Sequence, residues 1–121
     1  MNIFHRIYCR SDAWAAAIQK WIMPWTLKDI SLGDDVLEIG PGPGRTTEKL
    51  REQAARLTAI EIDHKLAEAL KARMAGTNVT VVEGDATKMP LPDASFSGAV
   101  SLTMLHHVPS AALQDKLLAE T

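Results

Sequence analysis

From Asp34 onward, short apolar runs rich in β-branched residues alternate with longer stretches in which leucine and alanine recur at helical spacing. That alternation is how parallel βαβ units read, and it predicts four strands: Asp35 to Ile39, Leu57 to Ile62, Val79 to Glu83 and Gly98 to Thr103. The first three are almost continuously hydrophobic, as strands covered on both faces are. Helices are expected between them, over Arg45 to Ala55 and Lys65 to Met74. Asp63 stands at the N-cap of the second of these, and Gly76 where a C-terminal glycine would end it. Ser110 caps a last helix that runs to the end of the sequence. Ahead of all this, Trp14, Ile18, Trp21 and Trp25 form one apolar stripe on an N-terminal helix that Pro24 should end or kink. The stripe needs a surface to cover, either the sheet or, as a lid, a bound ligand. The fold predicted is α/β, a doubly wound parallel sheet over residues 34–121 preceded by a helical cap over residues 1–33.

A sheet with this element order places its fourth strand centrally, beside the first, and adds further strands on the far side. No further strand follows here, so the fourth strand is expected to expose a long apolar edge, which folded monomers cover, charge or pair. The expectation is a fragment, or a chain that pairs with a partner, for instance a second copy through that edge.

Composition narrows the chemistry. The chain has 121 residues, 46% hydrophobic and 23% charged, with 13 basic and 15 acidic side chains and a formal charge of −2. This balance, with no basic run, argues against a nucleic-acid or anionic-membrane partner. Cys9 alone forms no internal disulfide, and no cysteine or histidine cluster has zinc-site spacing, so no metal is expected and a reducing compartment, the cytoplasm, fits best. Nowhere do ~18 apolar residues run together, so no membrane span or signal peptide is read.

The most informative stretch runs from Val36 to Thr47: a strand, the turn Gly40-Pro41-Gly42-Pro43-Gly44, and a helix start. Glycines let a ligand lie against backbone, facing the positive end of the helix. The dinucleotide fingerprint Gly-x-Gly-x-x-Gly fails in register, because Arg45 or Thr47 stands at its third glycine, and Pro41 and Pro43 lack the N–H groups that would cradle a pyrophosphate. No Gly-x-x-x-x-Gly-Lys loop occurs either. Glu61, twenty-one residues after Gly40, ends the second strand, where a carboxylate can accept from both hydroxyls of a ribose. Asp85, in Glu83-Gly84-Asp85-Ala86, follows the third, where it can accept from an exocyclic amine. Each alone reads more often as a helix cap or a solvated turn than as a ligand contact. Together they outline a nucleoside with a short polar tail.

Glu38-x-Gly40-x-Gly42-x-Gly44, Glu61 and Gly84-Asp85-Ala86 resemble the successive motifs of the class I S-adenosylmethionine-dependent methyltransferases. The resemblance runs from Phe4 to Glu120 but covers only the first half to two thirds of what that family usually needs, and it implies an incomplete Rossmann-like fold. It further implies S-adenosylmethionine as cofactor, with Gly40, Gly42 and Gly44 facing the methionine portion and Glu38 orienting the loop and the amino-acid end. Glu61 would take the ribose, Asp85 the adenine amine, and the Ala86 amide an adenine ring nitrogen. Methyl transfer needs alignment more than a dedicated base. Catalytic candidates lie after the fourth strand, where Thr103, His106 and His107 stand out, although a histidine there reads more readily as a structural hydrogen-bonder.

Two branches of the family compete. Glu38 to Gly42 with Ala59-Ile60-Glu61-Ile62-Asp63 looks very like the ribosomal RNA adenine dimethyltransferases, but those need an Asn-x-Pro-Tyr type motif where this chain has Ser101-Leu102-Thr103-Met104. The stretch from Met89 to Ser97, followed by Met104 to Val108, resembles instead the group that methylates small molecules, and a small-molecule acceptor is the expectation, with Phe96 packing under the sheet. A cofactor-binding module without activity of its own, or a nicotinamide oxidoreductase, are the readings from other classes.

Overall fold

The computed structural model describes residue 3 and residues 12–102 and 104–121, without the side chains of residues 14, 15, 18, 19 and 106. In chain order the elements are α1 (Asp12–Ala17), a π-helical turn (Ile18–Ile22), α2 (Met23–Thr26), β1 (Asp35–Ile39), α3 (Arg45–Leu50), β2 (Arg56–Glu61), α4 (His64–Met74), β3 (Val79–Glu83), a 3-10 turn (Ala86–Lys88), β4 (Gly98–Val100), a second 3-10 turn (Leu105–His107) and α5 (Ala111–Glu120). The four strands form one parallel sheet in the order β3-β2-β1-β4. β1 is buried on both faces, and helices cover both sides, as its sequence pattern requires.

Val36 and Leu57 pack with Met23, Leu50 and Val100 on one face, while Leu37, Ile39 and Ile60 pack with Leu117 of α5 on the other. Ala59 meets Leu70 and Met74 of α4. Phe96 lies half-buried against the Leu37 cluster, as expected. The caps are where the sequence puts them: Asp63 accepts from Leu66 N–H at 3.0 Å, Ser110 accepts from Leu113 N–H at 3.2 Å, and Gly76 takes φ 77° just past α4.

Three expectations are corrected. α3 ends at Leu50, not Ala55, because the Asn78 side-chain amide donates to the carbonyls of Arg51 (2.8 Å) and Ala54 (2.9 Å) and holds the chain in a turn. β4 pairs with β1 only from Gly98 to Val100, so the edge it presents is short rather than long. Ser97 fixes its entry, its Oγ accepting from Asp35 N–H at 3.0 Å and donating to the Leu32 carbonyl at 2.7 Å.

The third correction concerns the N-terminal stripe. Trp21 and Trp25 are 66% and 82% exposed, and Met23, flanked by Ile22 and Leu27, is the residue seated on the core instead. Pro24 lies in the first turn of α2, directly after the π-turn. A proline ring clashes with the carbonyl four residues back, and the wider turn relieves that clash while adding one residue. An extra residue offsets the face beyond the turn by about 100° from that of an unbroken α-helix, which takes Trp25 out of the expected stripe. The side chains of Trp14 and Ile18 lie outside the described residues. No helix among the described residues is long and apolar enough to cross a membrane.

Candidate functional site

The glycine loop joins the C-terminal end of β1 to α3, and its three glycines have φ of 69°, 54° and 82° at Gly40, Gly42 and Gly44. These left-handed values are why side chains are excluded. The positions nevertheless face different surroundings. A Cβ on Gly40 would lie 2.8 Å from Met104 Cγ, one on Gly44 would lie 2.4 Å from Leu70 Cδ1, and one on Gly42 would meet nothing within 4 Å. Gly44 therefore serves the contact between the loop and α4, where Arg73 also donates to the Pro43 carbonyl and pairs with Glu48. Gly42 is the position left open for close approach.

Every N–H of these glycines is already engaged. Gly40 donates to Ile60 O at 3.0 Å, Gly44 to Pro41 O at 2.9 Å, and Gly42 to Glu61 Oε2 at 3.0 Å. Pro41 and Pro43 have no N–H to give. A pyrophosphate would find no backbone donor in residues 40–44, so the loop does not match a dinucleotide cradle.

Glu61 ends β2, buried, and is held at both oxygens: Oε2 by Gly42 N–H and Oε1 by Asp63 N–H at 3.0 Å. Each carboxylate oxygen carries a second lone pair, so the group keeps two acceptor sites while its orientation is fixed by backbone. Asp85 lies two residues beyond β3 and caps the 3-10 turn. Its Oδ1 accepts from Thr87 N–H at 2.8 Å and from Thr87 Oγ1 at 2.7 Å, and these bonds hold the carboxyl below the usual Asp range. Its Oδ2 accepts from no described residue.

Gly40, Glu61, Asp85 and Ala86 line one open cleft of about 270 Å³, together with Ile62 and Met104. The volume is near the lower end for small-ligand pockets. Ile62, 66% exposed, directly follows Glu61 and presents an apolar surface there. Glu38 lies beneath the loop rather than in the cleft, 2% exposed, with Oε2 accepting from Thr47 Oγ1 at 2.6 Å. Burial raises its pKa from 4.5 to about 7; the Thr47 bond opposes the rise and the nearby Glu61 charge adds to it.

Of the acceptor-side candidates, Thr103 and the side chain of His106 lie outside the described residues, and His107 lines the cleft. Thr47, Ile62, Thr87 and Met104 are the neighbours the sequence reading did not single out. Thr47, Ile62 and Met104 fall inside stretches the sequence marks, but no feature of the sequence distinguishes them from their neighbours there. Away from the cleft, His64, Glu68 and Glu83 bring possible metal-ligand atoms within 4.8 Å of one another. They are exposed ion pairs, His64 with Glu83 at 2.9 Å and Glu68 with Lys71 at 3.0 Å, and the Glu83 bond raises the His64 pKa.

A cleft at the C-terminal ends of β1, β2 and β3, bordered by a glycine turn and two acidic residues, stands where open α/β sheets bind their ligands. The family model described as a methyltransferase domain matches residues 36–121, and the chain belongs to that family. It is similar to the probable ribosomal RNA small subunit methyltransferase A of Methanospirillum hungatei, 48% identical over 68 residues that make up 53% of this chain and 26% of that protein. A SAM-dependent methyltransferase from Aquifex aeolicus shares the fold, with a TM-score of 0.78 and 18% identity over 99% of this chain and 65% of its own. A dimethyladenosine transferase from Plasmodium falciparum is 34% identical, with a TM-score of 0.55 over 74% of this chain and 31% of its own. The chain spans about a quarter of the length of the curated relatives it matches.

Proposed function

We propose that this chain is the cofactor-binding part of an S-adenosylmethionine-dependent methyltransferase, residues 1–33 serving as a helical cap on the binding unit 34–121. The observation that carries the reading is Glu61: one carboxylate, fixed by the N–H groups of Gly42 and Asp63, couples the glycine loop to a cleft that Asp85 and Ala86 also line. When bound, S-adenosylmethionine supplies a methyl group already activated on a sulfonium. In this reading the spare lone pairs of Glu61 accept from the ribose hydroxyls, Asp85 Oδ2 accepts from the adenine amine and the Ala86 amide meets an adenine ring nitrogen. Ile62 covers a face of the base, and the open side of Gly42 lies along the methionine portion. The residues present fit the group: acceptors where hydroxyls and an amine would stand, and no backbone donors where a pyrophosphate would need them.

For the acceptor, we infer a small molecule. The segment after β4 carries Ser101, Leu102 and, over Gly40, the thioether of Met104, and so offers no aromatic platform or amide for an extruded base. Thr103 and His106 remain the candidates to contact the acceptor, and His106→Ala should leave cofactor affinity nearly intact. The ribosomal RNA adenine reading is favoured by a different observation, the 48% identity to the Methanospirillum hungatei protein. Transfer of labelled methyl decides between them. Product on phenolic, amine or quinone-type acceptors supports the small-molecule reading, and product on an adenine-bearing hairpin of small-subunit ribosomal RNA overturns it. Calorimetry with S-adenosylhomocysteine tests the cofactor itself: binding that NAD fails to displace is the expected result.

A further inference from the structure

We propose that Thr47 is a positioning residue: by donating its hydroxyl to one oxygen of Glu38, it fixes that side chain so that the other oxygen serves a cationic amine at the glycine loop. The inference rests on the cofactor reading above and concerns which ligands the site prefers.

Thr47 is 0% exposed and sits in the first turn of α3, three residues past Gly44, so its side chain cannot rotate away into solvent. Its Oγ1 donates to Glu38 Oε2 at 2.6 Å. Glu38 Oε1 accepts from no described residue. Among the described residues the carboxyl is therefore held by one donor, from α3, at one of its two oxygens. Among the described residues, the groups that face it come from three elements. Thr47 comes from α3 and Glu61 from β2. On the other side β4 contributes Gly98, Ala99 and Val100, none of them charged.

Burial and the Glu61 charge both push Glu38 toward its neutral form, and the Thr47 bond is the influence that opposes them. A neutral Glu38 would attract an ammonium weakly, whereas a charged and oriented one supplies a charge-assisted acceptor. Thr47 thus acts on the ligand only through Glu38, and its effect is confined to ligands that carry an amine.

The test measures binding by calorimetry for the 121-residue chain and for Thr47→Val and Thr47→Ser, with two ligands. S-adenosylhomocysteine carries the amino-acid end; methylthioadenosine has the same nucleoside without it. Thr47→Val, of the same shape but lacking the hydroxyl, should weaken S-adenosylhomocysteine about tenfold near pH 7 and change methylthioadenosine by less than about twofold. Thr47→Ser should restore most of the loss. Relative to the unsubstituted chain, the Val deficit should shrink between pH 6.5 and pH 8 as Glu38 regains its charge. An equal loss for both ligands, or no loss for either, overturns the proposal. Should Thr47→Val fail to fold, Thr47→Ser and Thr47→Ala still decide: the serine variant should keep, and the alanine variant lose, most of the preference for S-adenosylhomocysteine over methylthioadenosine, and an equal preference in the two overturns the proposal. Failure of both ligands to bind the unsubstituted chain would instead remove the cofactor reading, and this inference with it.

Discussion

Glu38 and Glu61 are both buried carboxylates, but they are supported differently. Glu61 is held at both oxygens by backbone, whereas Glu38 has one hydroxyl and a pKa raised to about 7. The sign of the consequence for folding is fixed. The folded chain keeps the Glu38 proton to higher pH than the unfolded chain does, so stability is fullest below about pH 4.5 and is lost as the pH rises toward about 7. Urea unfolding at pH 5 and pH 7.5 should show this decline, up to about 3 kcal/mol, and Glu38→Gln should remove most of it. For Glu61→Ala, the expected outcome is a loss of about 1 to 3 kcal/mol in S-adenosylhomocysteine binding, since an oriented acceptor for two hydroxyls disappears. Calorimetry reads it directly, and unchanged affinity would remove the ribose assignment. Glu61 and Asp85 were legible in the sequence because strand ends in a parallel sheet converge. The bond from Thr47 to Glu38 was not, because it spans the turn and depends on how far α3 folds back over β1.

At the scale of elements, the glycine loop separates packing from ligand approach. Gly42→Ala adds backbone strain at φ 54° in open space and should cost about 1 to 2 kcal/mol of stability while lowering ligand affinity. Gly44→Ala adds a clash with Leu70 to a similar strain and should lower the melting temperature more. Paired thermal melts and titrations of the two variants check the division. Asn78→Ala should cost about 1 to 3 kcal/mol in chemical denaturation, because it strips the donor shared by the carbonyls after α3. The positions of β1, β2 and β3, both helix caps and the glycine turn were readable because each depends on neighbours along the chain. The early end of α3 was not, since its cause lies at Asn78, beyond α4, and the N-terminal stripe misled because periodicity assumes an unbroken α-helix.

Across the whole molecule, the N–H groups of Gly40, Gly42 and Gly44 are committed to internal partners. A competition titration should find that NAD fails to displace S-adenosylhomocysteine even at large excess, because residues 40–44 have no donor left for its phosphates. The strand order beside β1 and the covering of both faces were visible from the βαβ pattern alone, whereas the brevity of β4 depends on where the chain leaves the sheet to carry Met104 over Gly40. The wide turn at Ile18–Ile22 has a further consequence: it holds one residue more than an ordinary helix requires, so it is a built-in site of length tolerance. Removing a single position there would turn it into an ordinary α-turn, leaving Met23 anchored and the upstream face, with Asp12 at 3.9 Å from Arg45, close to where it now stands.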